Sequence, residues 1–470
     1  MGLPAGPRFV VPWLLRYTVS PYRVWNALVR RYRDPFFVRL PETPGTVATG
    51  RPDGVRAIIS ADASTLAPWR IPATEALMTS DSIFLQAGDA HRATRKLLAP
   101  LFQPARHGEH CAVMASVVAA ELDALSPGPV VVQQLAQRLT LHIILAVLFG
   151  LRDGPRAARF HAAAQLALDD TGPAFLYLRF LRRRGMPFAR SLGALEEMRR
   201  LVQEELDQRR ARAATPDSSA PGSKPGSGTR CPFAPAVASD RASAHTEPIG
   251  SPAPDVLDQL MRARRPDGSA LSDREIQVHL SDMVVAAHET TTVAIAWTCY
   301  ELCRHPGAMA RAVAEIERHP APRDAAGLAA LRYLEAVCNE SLRLHPPLVF
   351  LSRTAARPIC VAGHDVAPGM GVSLVLPLIH RDPATFPEPT LFRPERFLDR
   401  GYGPEQFLPF GGGAKRCLGS SFALQEMMIV IAGLLSRFRI RLRRDRPVRA
   451  RARIITVAPA DGVELVLERR

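Results

Sequence analysis

The sequence predicts a mainly α-helical chain with a small β region, an α+β fold, and three observations carry that expectation. Between residues 73 and 212 apolar side chains recur at intervals of three and four, as in Leu135, Leu139, Ile143 and Val147, which is the spacing of amphipathic helices. From Ser272 to Arg304 the chain runs without Gly or Pro, room for one helix of roughly 50 Å. Short runs of β-forming residues occur near the two ends.

Taken in order, Phe36 to Leu40 and Thr46 to Thr49, joined through Pro44 and Gly45, read as an opening hairpin. Helical patterning then extends to Arg212, and no internal repeat is visible, which removes solenoid architectures. Residues 215–254 hold 8 Pro, 4 Gly and 7 Ser, with Phe233, Val237 and Ile249 as the only large apolar side chains. Such a composition cannot offset its ordering entropy, so it reads as a disordered insertion within a single domain spanning 1–470. Helical patterning resumes at once with Val256 to Arg264. Ser272 and Glu275 form a capping box at the start of the long helix. Asp382 to Pro394 is Pro-rich irregular chain, a second apolar helix runs from Gly419 to Phe438, and Arg453 to Leu467 reads as a closing hairpin around Pro459 to Gly462.

At 470 residues with 47% apolar and 22% charged content, the chain can bury a large core. Sixty basic against 45 acidic side chains give +15, and all but three of the basic residues (Lys96, Lys224, Lys415) are Arg. They are spread along the whole chain with no accompanying binding motif, so the charge reads as a compositional bias and no nucleic acid is expected. Seven Cys without a C-x-x-C pair fit neither a disulfide framework nor a zinc ribbon, and suggest a reducing, cytoplasmic setting. The apolar run Phe9 to Leu15 is interrupted by Pro12 and closed by Arg16, too short for a membrane span and without a signal-type cleavage site. No membrane span is expected.

The sharpest chemical signal is Phe410-Gly-Gly-Gly413-Ala-Lys415-Arg-Cys417-Leu-Gly419. A Gly-rich turn presents one thiol just before a helix, where unpaired backbone N–H groups and the helix dipole favour a thiolate. The glycines let the backbone approach a flat ligand, and Gly419 removes a side chain that would collide with it. Here the chain resembles the cytochromes P450, the heme-thiolate monooxygenases, whose signature F-x-x-G-x-x-x-C-x-G is met at Phe410, Gly413, Cys417 and Gly419. The resemblance makes Cys417 the axial iron ligand of heme b, iron protoporphyrin IX. The family most often has Arg where Lys415 stands; Lys can supply the charge without the bidentate fork of a guanidinium.

Within the long helix, Ala286-Ala287-His288-Glu289-Thr290 sits between apolar runs, where a carboxylate and a hydroxyl are costly to bury unless paired or used. An acid and a Thr on a helix would by themselves read as a solvated face. The segment resembles the family's oxygen-activation motif A-G-x-D/E-T, with Glu289 as the acid, Thr290 as the alcohol and Ala287 in place of Gly. His288 reads as structural or solvent-linked. Glu340 and Arg343 share a helix face, a pattern repeated at Glu196/Arg199, Glu197/Arg200 and Glu315/Arg318, where weak surface pairs are the natural reading. The following Leu344-His345-Pro346-Pro347 and the later Pro394-Glu395-Arg396-Phe397 resemble the family's buried Glu-Arg-Arg brace, which implies Glu340, Arg343 and Arg396.

By the same resemblance, His91 and Arg95, an H-x-x-x-R pair, and Arg353 in Leu351-Ser352-Arg353-Thr354 would meet the heme propionates. The family fold is one triangular helical body with heme between the long helix and the Cys helix. It implies a thiolate that favours O–O cleavage, and a Glu289/Thr290 pair that organises water and delivers protons so that O2 is used productively. The distal pocket would draw on Ile83, Phe84, Leu85, the helices around Phe175 to Tyr177, Met283, Ala286 and Phe350. These are mainly apolar, so a small hydrophobic substrate is expected, hydroxylated or epoxidised. No flavin fingerprint, Walker loop or iron–sulfur Cys cluster is present, and the resemblance implies a separate ferredoxin or flavodoxin with its reductase, attracted by Lys415 and Arg416. A peroxide-using or rearranging heme-thiolate enzyme, or a non-catalytic heme-binding protein, are the alternative readings.

Overall fold

In the computed structural model Ser272 starts the long helix through a full capping box. Its hydroxyl accepts from Glu275 N while the Glu275 carboxylate accepts from Ser272 N at 2.9 Å. The helix runs Asp273–Arg304 and packs along Val132–Phe149, Pro187–Ala214, Arg332–Leu344 and Ser420–Arg437. Residues 2–39, 43–70, 78–103, 106–152, 154–168, 187–214, 255–265, 267–319, 324–453 and 455–470 are described by the structure. The expected insertion 215–254 and the segment Phe175 to Tyr177 lie outside them.

One contiguous core joins these helices, with Leu139, Ile143, Ala296, Cys299, Val337 and Ile431 all fully enclosed. Helix Val132–Phe149 is long and apolar enough to cross a bilayer, but most of it is buried in this core. Its apolar character is that of a central packing element.

The β structure lies to one side. Phe36–Val38, Thr46–Thr49, Gly371–Val375, Phe350–Ala355 and Leu66–Pro68 form a five-stranded sheet in that spatial order. The pair Thr46–Thr49 with Gly371–Val375 is parallel and the other pairs are antiparallel. The opening hairpin is therefore real, and two helices precede it, Val11–Val19 and Pro21–Tyr32. The sequence reading took Pro12 as an interruption of the apolar run and named no helix here; Pro21 opens the second helix. Both prolines sit in the first helical turn, where the missing N–H costs nothing.

The expected closing hairpin takes a different form. Val457–Pro459 pairs with Ala450–Ala452, whereas Glu464–Arg469 crosses to a separate sheet between Gly128–Val131 and Phe438–Leu442. Gly462 and Val463 both have positive φ, so the chain turns away from its neighbour at Pro459 to Gly462 instead of folding back on it.

Candidate functional site

Cys417 lies at the end of a loop built by backbone constraints. Gly411 and Gly413 have φ of +70° and +64°, and a Cβ on Gly413 would collide with the Ile59 carbonyl. Cys417 N donates to Phe410 O at 2.9 Å, which closes the loop, and helix Ser420–Arg437 follows. No atom lies within 4 Å of where a Gly419 Cβ would stand. The Cys417 side chain is exposed and yet desolvated, the condition of a group that lines a cleft inside the molecule. Burial pushes its thiol up, and the Gly419 N–H, Arg95 and Arg416 only partly oppose this. Desolvation thus works against the thiolate that the loop and the helix dipole favour. A bound metal cation would supply the missing stabilisation.

Around this loop four basic side chains converge from three segments: His91 and Arg95 on helix Gly88–Leu98, Arg353 on strand Phe350–Ala355 and Lys415 in the loop itself. His91 is buried with Nδ1 lacking any hydrogen-bond partner. Burial, then Lys415, Arg95 and Arg353 in turn, push it down to about 4. Burial, Arg353 and Arg95 push Lys415 down to about 7, and burial also disfavours the charges on Arg353 and Arg95. None of the four makes an ion pair with a carboxylate among the described residues. A desolvated set of mutually repelling donors next to a thiol fits a flat ligand with a soft metal centre and anionic arms, which is the chemistry of heme.

Their hydrogen bonds are already structural in part. Arg95 Nη1 donates to Arg416 O at 2.7 Å and Arg353 Nη1 to Ser352 O at 2.8 Å. Lys415 Nζ points inward, donating to Gln86 O at 2.7 Å and Ile83 O at 3.2 Å, so it ties the Cys loop to the segment before His91. Of the two basic neighbours of Cys417, Arg416 is the one left exposed.

On the long helix Ala286 is the only exposed residue between Glu275 and Tyr300, so the cleft reaches the helix there. Thr290 Oγ1 donates to Ala286 O at 2.7 Å. Ala287 is half-buried against the core. Glu289 Oε1 pairs with Arg453 Nε at 3.1 Å and accepts from Thr456 Oγ1 at 3.3 Å. His288 faces the other way and is structural. Its Nδ1 lies 2.8 Å from Thr140 Oγ1, which in turn meets Thr292 Oγ1 at 3.1 Å.

Glu340, Arg343 and Arg396 are brought together in full burial. Glu340 Oε2 accepts from Arg343 Nε at 2.7 Å, and Oε1 accepts from Arg343 Nη2 at 2.8 Å, Arg396 Nε at 3.0 Å and Arg393 N at 2.8 Å. The surplus positive charge is met by carbonyls of His380, Pro389 and Leu391 on Arg343 and of Pro387 on Arg396. The irregular 382–394 segment is held by these bonds. The other E-x-x-R pairs differ. Glu197 and Arg200 form an exposed pair, and Glu315, although spaced like the rest, is buried and accepts from Tyr333 N and Leu334 N instead of Arg318.

The expected pocket residues separate. Leu85 is buried, Ile83 and Met283 are half-buried and Phe84 is exposed. Phe350 is not brought to the Cys-loop side. Strand alternation sets it opposite Leu351 and Arg353, and its ring packs with Tyr17, Trp25 and Trp69 at centroid distances of 6.4, 6.1 and 6.3 Å. Leu351, by contrast, is 3.5 Å from a Cβ built on Gly411.

The sequence reading also missed Asp282, one turn before Ala286. Its Oδ2 accepts from Ser82 Oγ at 2.6 Å, and burial pushes its carboxyl up to about 7, against Ser82, Arg199 and the Ile83 N–H. An acid amid apolar helix residues was the available signal.

Residues 3–462 match the family model for cytochrome P450. The chain is 27% identical over 485 residues to cytochrome P450 135B1 of Mycobacterium tuberculosis, spanning 99% of this chain and 91% of that one. It is 29% identical over 480 residues to cytochrome P450 137 of the same organism, spanning 99% and 90%. A solved structure of cyanobacterial CYP120A1 with bound retinoic acid superposes with a TM-score of 0.79 at 22% identity over 100% of both chains, a likeness of fold.

Proposed function

The chain belongs to the cytochrome P450 family, and we propose that it is a heme b monooxygenase that inserts one oxygen atom from O2 into a small hydrophobic molecule. The observation that carries this reading is the accessible thiol of Cys417 ringed by His91, Arg95, Arg353 and Lys415 with no carboxylate among them. Heme held by Cys417 supplies the redox chemistry that activates O2 and delivers oxygen to carbon. The basic set would hold its propionates, and the Glu340–Arg343–Arg396 brace would keep the chain behind it rigid.

Thr290 and Glu289 are the proton-handling pair. Thr290 Oγ1 is held by Ala286 O at the one accessible turn of the helix, so its own lone pairs are left to accept from water or substrate. Glu289, fixed by Arg453 and Thr456, can relay a proton toward that turn through water. Ile83, Leu85 and Met283 would exclude bulk water and take up apolar substrate. We read the chain as one catalytic domain working in the cytoplasm with an acidic ferredoxin or flavodoxin and its reductase, and exposed Arg416, next to Cys417 in the chain, as a basic residue for such a donor.

The test is absorption of the heme-loaded, reduced protein under carbon monoxide. The red-shifted band of thiolate-ligated heme is expected, absent in Cys417→Ala. A band typical of nitrogen-ligated heme in intact protein would overturn the reading. Turnover with a surrogate reductase and O2, scored as oxygenated product from a library of apolar compounds, then separates an oxygenase from a heme carrier.

A further inference from the structure

The N-terminal segment carries an apolar surface that the proposed chemistry does not use. Among the described residues ten large apolar side chains are exposed, and five of them fall in the first nineteen positions: Leu3 at 47%, Phe9 at 79%, Val11 at 57%, Leu15 at 64% and Val19 at 61%. Helix Val11–Val19 is two-faced. Trp13 and Tyr17 pack inward against the cluster of Val24, Leu28 and Phe36, whereas Val11, Leu15 and Val19, four apart, form the outward stripe. None of its nine residues is buried. A helix this short is marginal in water by itself, and an outward apolar stripe on it asks for an apolar phase.

The charge around the stripe has one sign. Residues 1–33 contain six Arg and no Asp or Glu; the first acid is Asp34, whose carboxylate is taken by Thr49 and Gly50 N. Strand Ala450–Ala452, which packs on this helix, adds exposed Arg451 and follows exposed Arg449. Arg8, Arg16, Arg23, Arg449 and Arg451 make no ion pair among the described residues. A second copy of the chain would set these guanidiniums against their own kind, whereas a protein groove would need acids of its own. An apolar stripe rimmed only by Arg matches an interface with hydrocarbon below and anionic headgroups at its edge.

We propose that the face formed by Phe9, Val11, Leu15 and Val19 docks peripherally on a bilayer surface bearing anionic lipid, with the Arg rim on the headgroups. This is adsorption in the interfacial plane, not a span, and it explains why an apolar run too short to cross a membrane is left uncovered.

Flotation of the full-length protein with phosphatidylcholine vesicles, with and without phosphatidylglycerol, tests it. Capture by the phosphatidylglycerol vesicles is expected, weakened by salt, and reduced roughly tenfold or more in Phe9→Glu/Leu15→Glu. Leu166→Glu, at an exposed apolar position elsewhere, should bind as the parent does. Circular dichroism confirms that each variant is folded, and Val19→Glu serves if the double variant is not. Absence of capture, capture unaffected by these substitutions, or a dimer in sedimentation velocity that the substitutions dissolve while vesicles are ignored would each overturn the proposal. None of these readouts depends on heme.

Discussion

Arg453 Nε stands 3.1 Å from Glu289 Oε1, joining the turn of the C-terminal hairpin to the middle of the long helix. Thr456, whose carbonyl accepts from Arg453 N at 2.8 Å in that same turn, donates its hydroxyl to the same carboxylate oxygen. The acid on the helix is therefore oriented by a segment far away in sequence.

Arg453→Met should remove the ion pair that orients Glu289. Product formed per reductant consumed is expected to fall roughly two- to tenfold, with hydrogen peroxide rising, while heme content stays the same. The ratio of NADH oxidised to product and peroxide measures it. An unchanged ratio would confine Arg453 to a packing role.

Thr290→Ala removes the hydroxyl that spans Ala286 O and the accessible turn. Heme loading and the carbon monoxide band should persist while coupling drops, and Thr290→Ser should restore most of it. Equal coupling in the Ala variant would place the proton path elsewhere.

Asp282 makes stability depend on pH. Its folded carboxyl titrates at about 7, above the ordinary value of 3.8, so the folded chain holds a proton that the unfolded chain releases. Stability is full below the unfolded value and is lost as pH rises through the folded one, amounting to roughly 2–4 kcal/mol. Asp282→Asn, which keeps an acceptor for Ser82, should flatten that fall. Urea midpoints of both proteins from about pH 5 to pH 8 give the difference curve. A difference that does not change with pH would contradict the assignment.

Glu340→Gln leaves two guanidiniums buried without their anion, with Arg343 at 0% and Arg396 at 2% exposure. A loss of about 3–5 kcal/mol is expected in urea unfolding. A loss under 1 kcal/mol would mean that the surrounding carbonyls suffice.

Arg353→Met takes one cation from a site where each repels the others. If these groups serve an anionic ligand, heme should leave for apomyoglobin roughly tenfold faster although the apoprotein gains stability. A slower loss of heme would remove Arg353 from the propionate set.

What could be read along the chain was what neighbouring residues decide among themselves. The capping box of Ser272 and Glu275, the glycine-shaped loop up to Cys417 and the i,i+3 pair of Glu340 and Arg343 each lie within one or two turns of backbone, where sterics and hydrogen-bond reach set the outcome. Tertiary structure alone chose the partners that close those local pieces into a site: Arg453 on Glu289, Ser82 on Asp282, the carbonyls around Arg343, and the side of the sheet on which Phe350 lies. It also set the burial that pushes the Cys417 thiol up, because desolvation is a property of everything packed around a group and no local spacing encodes it.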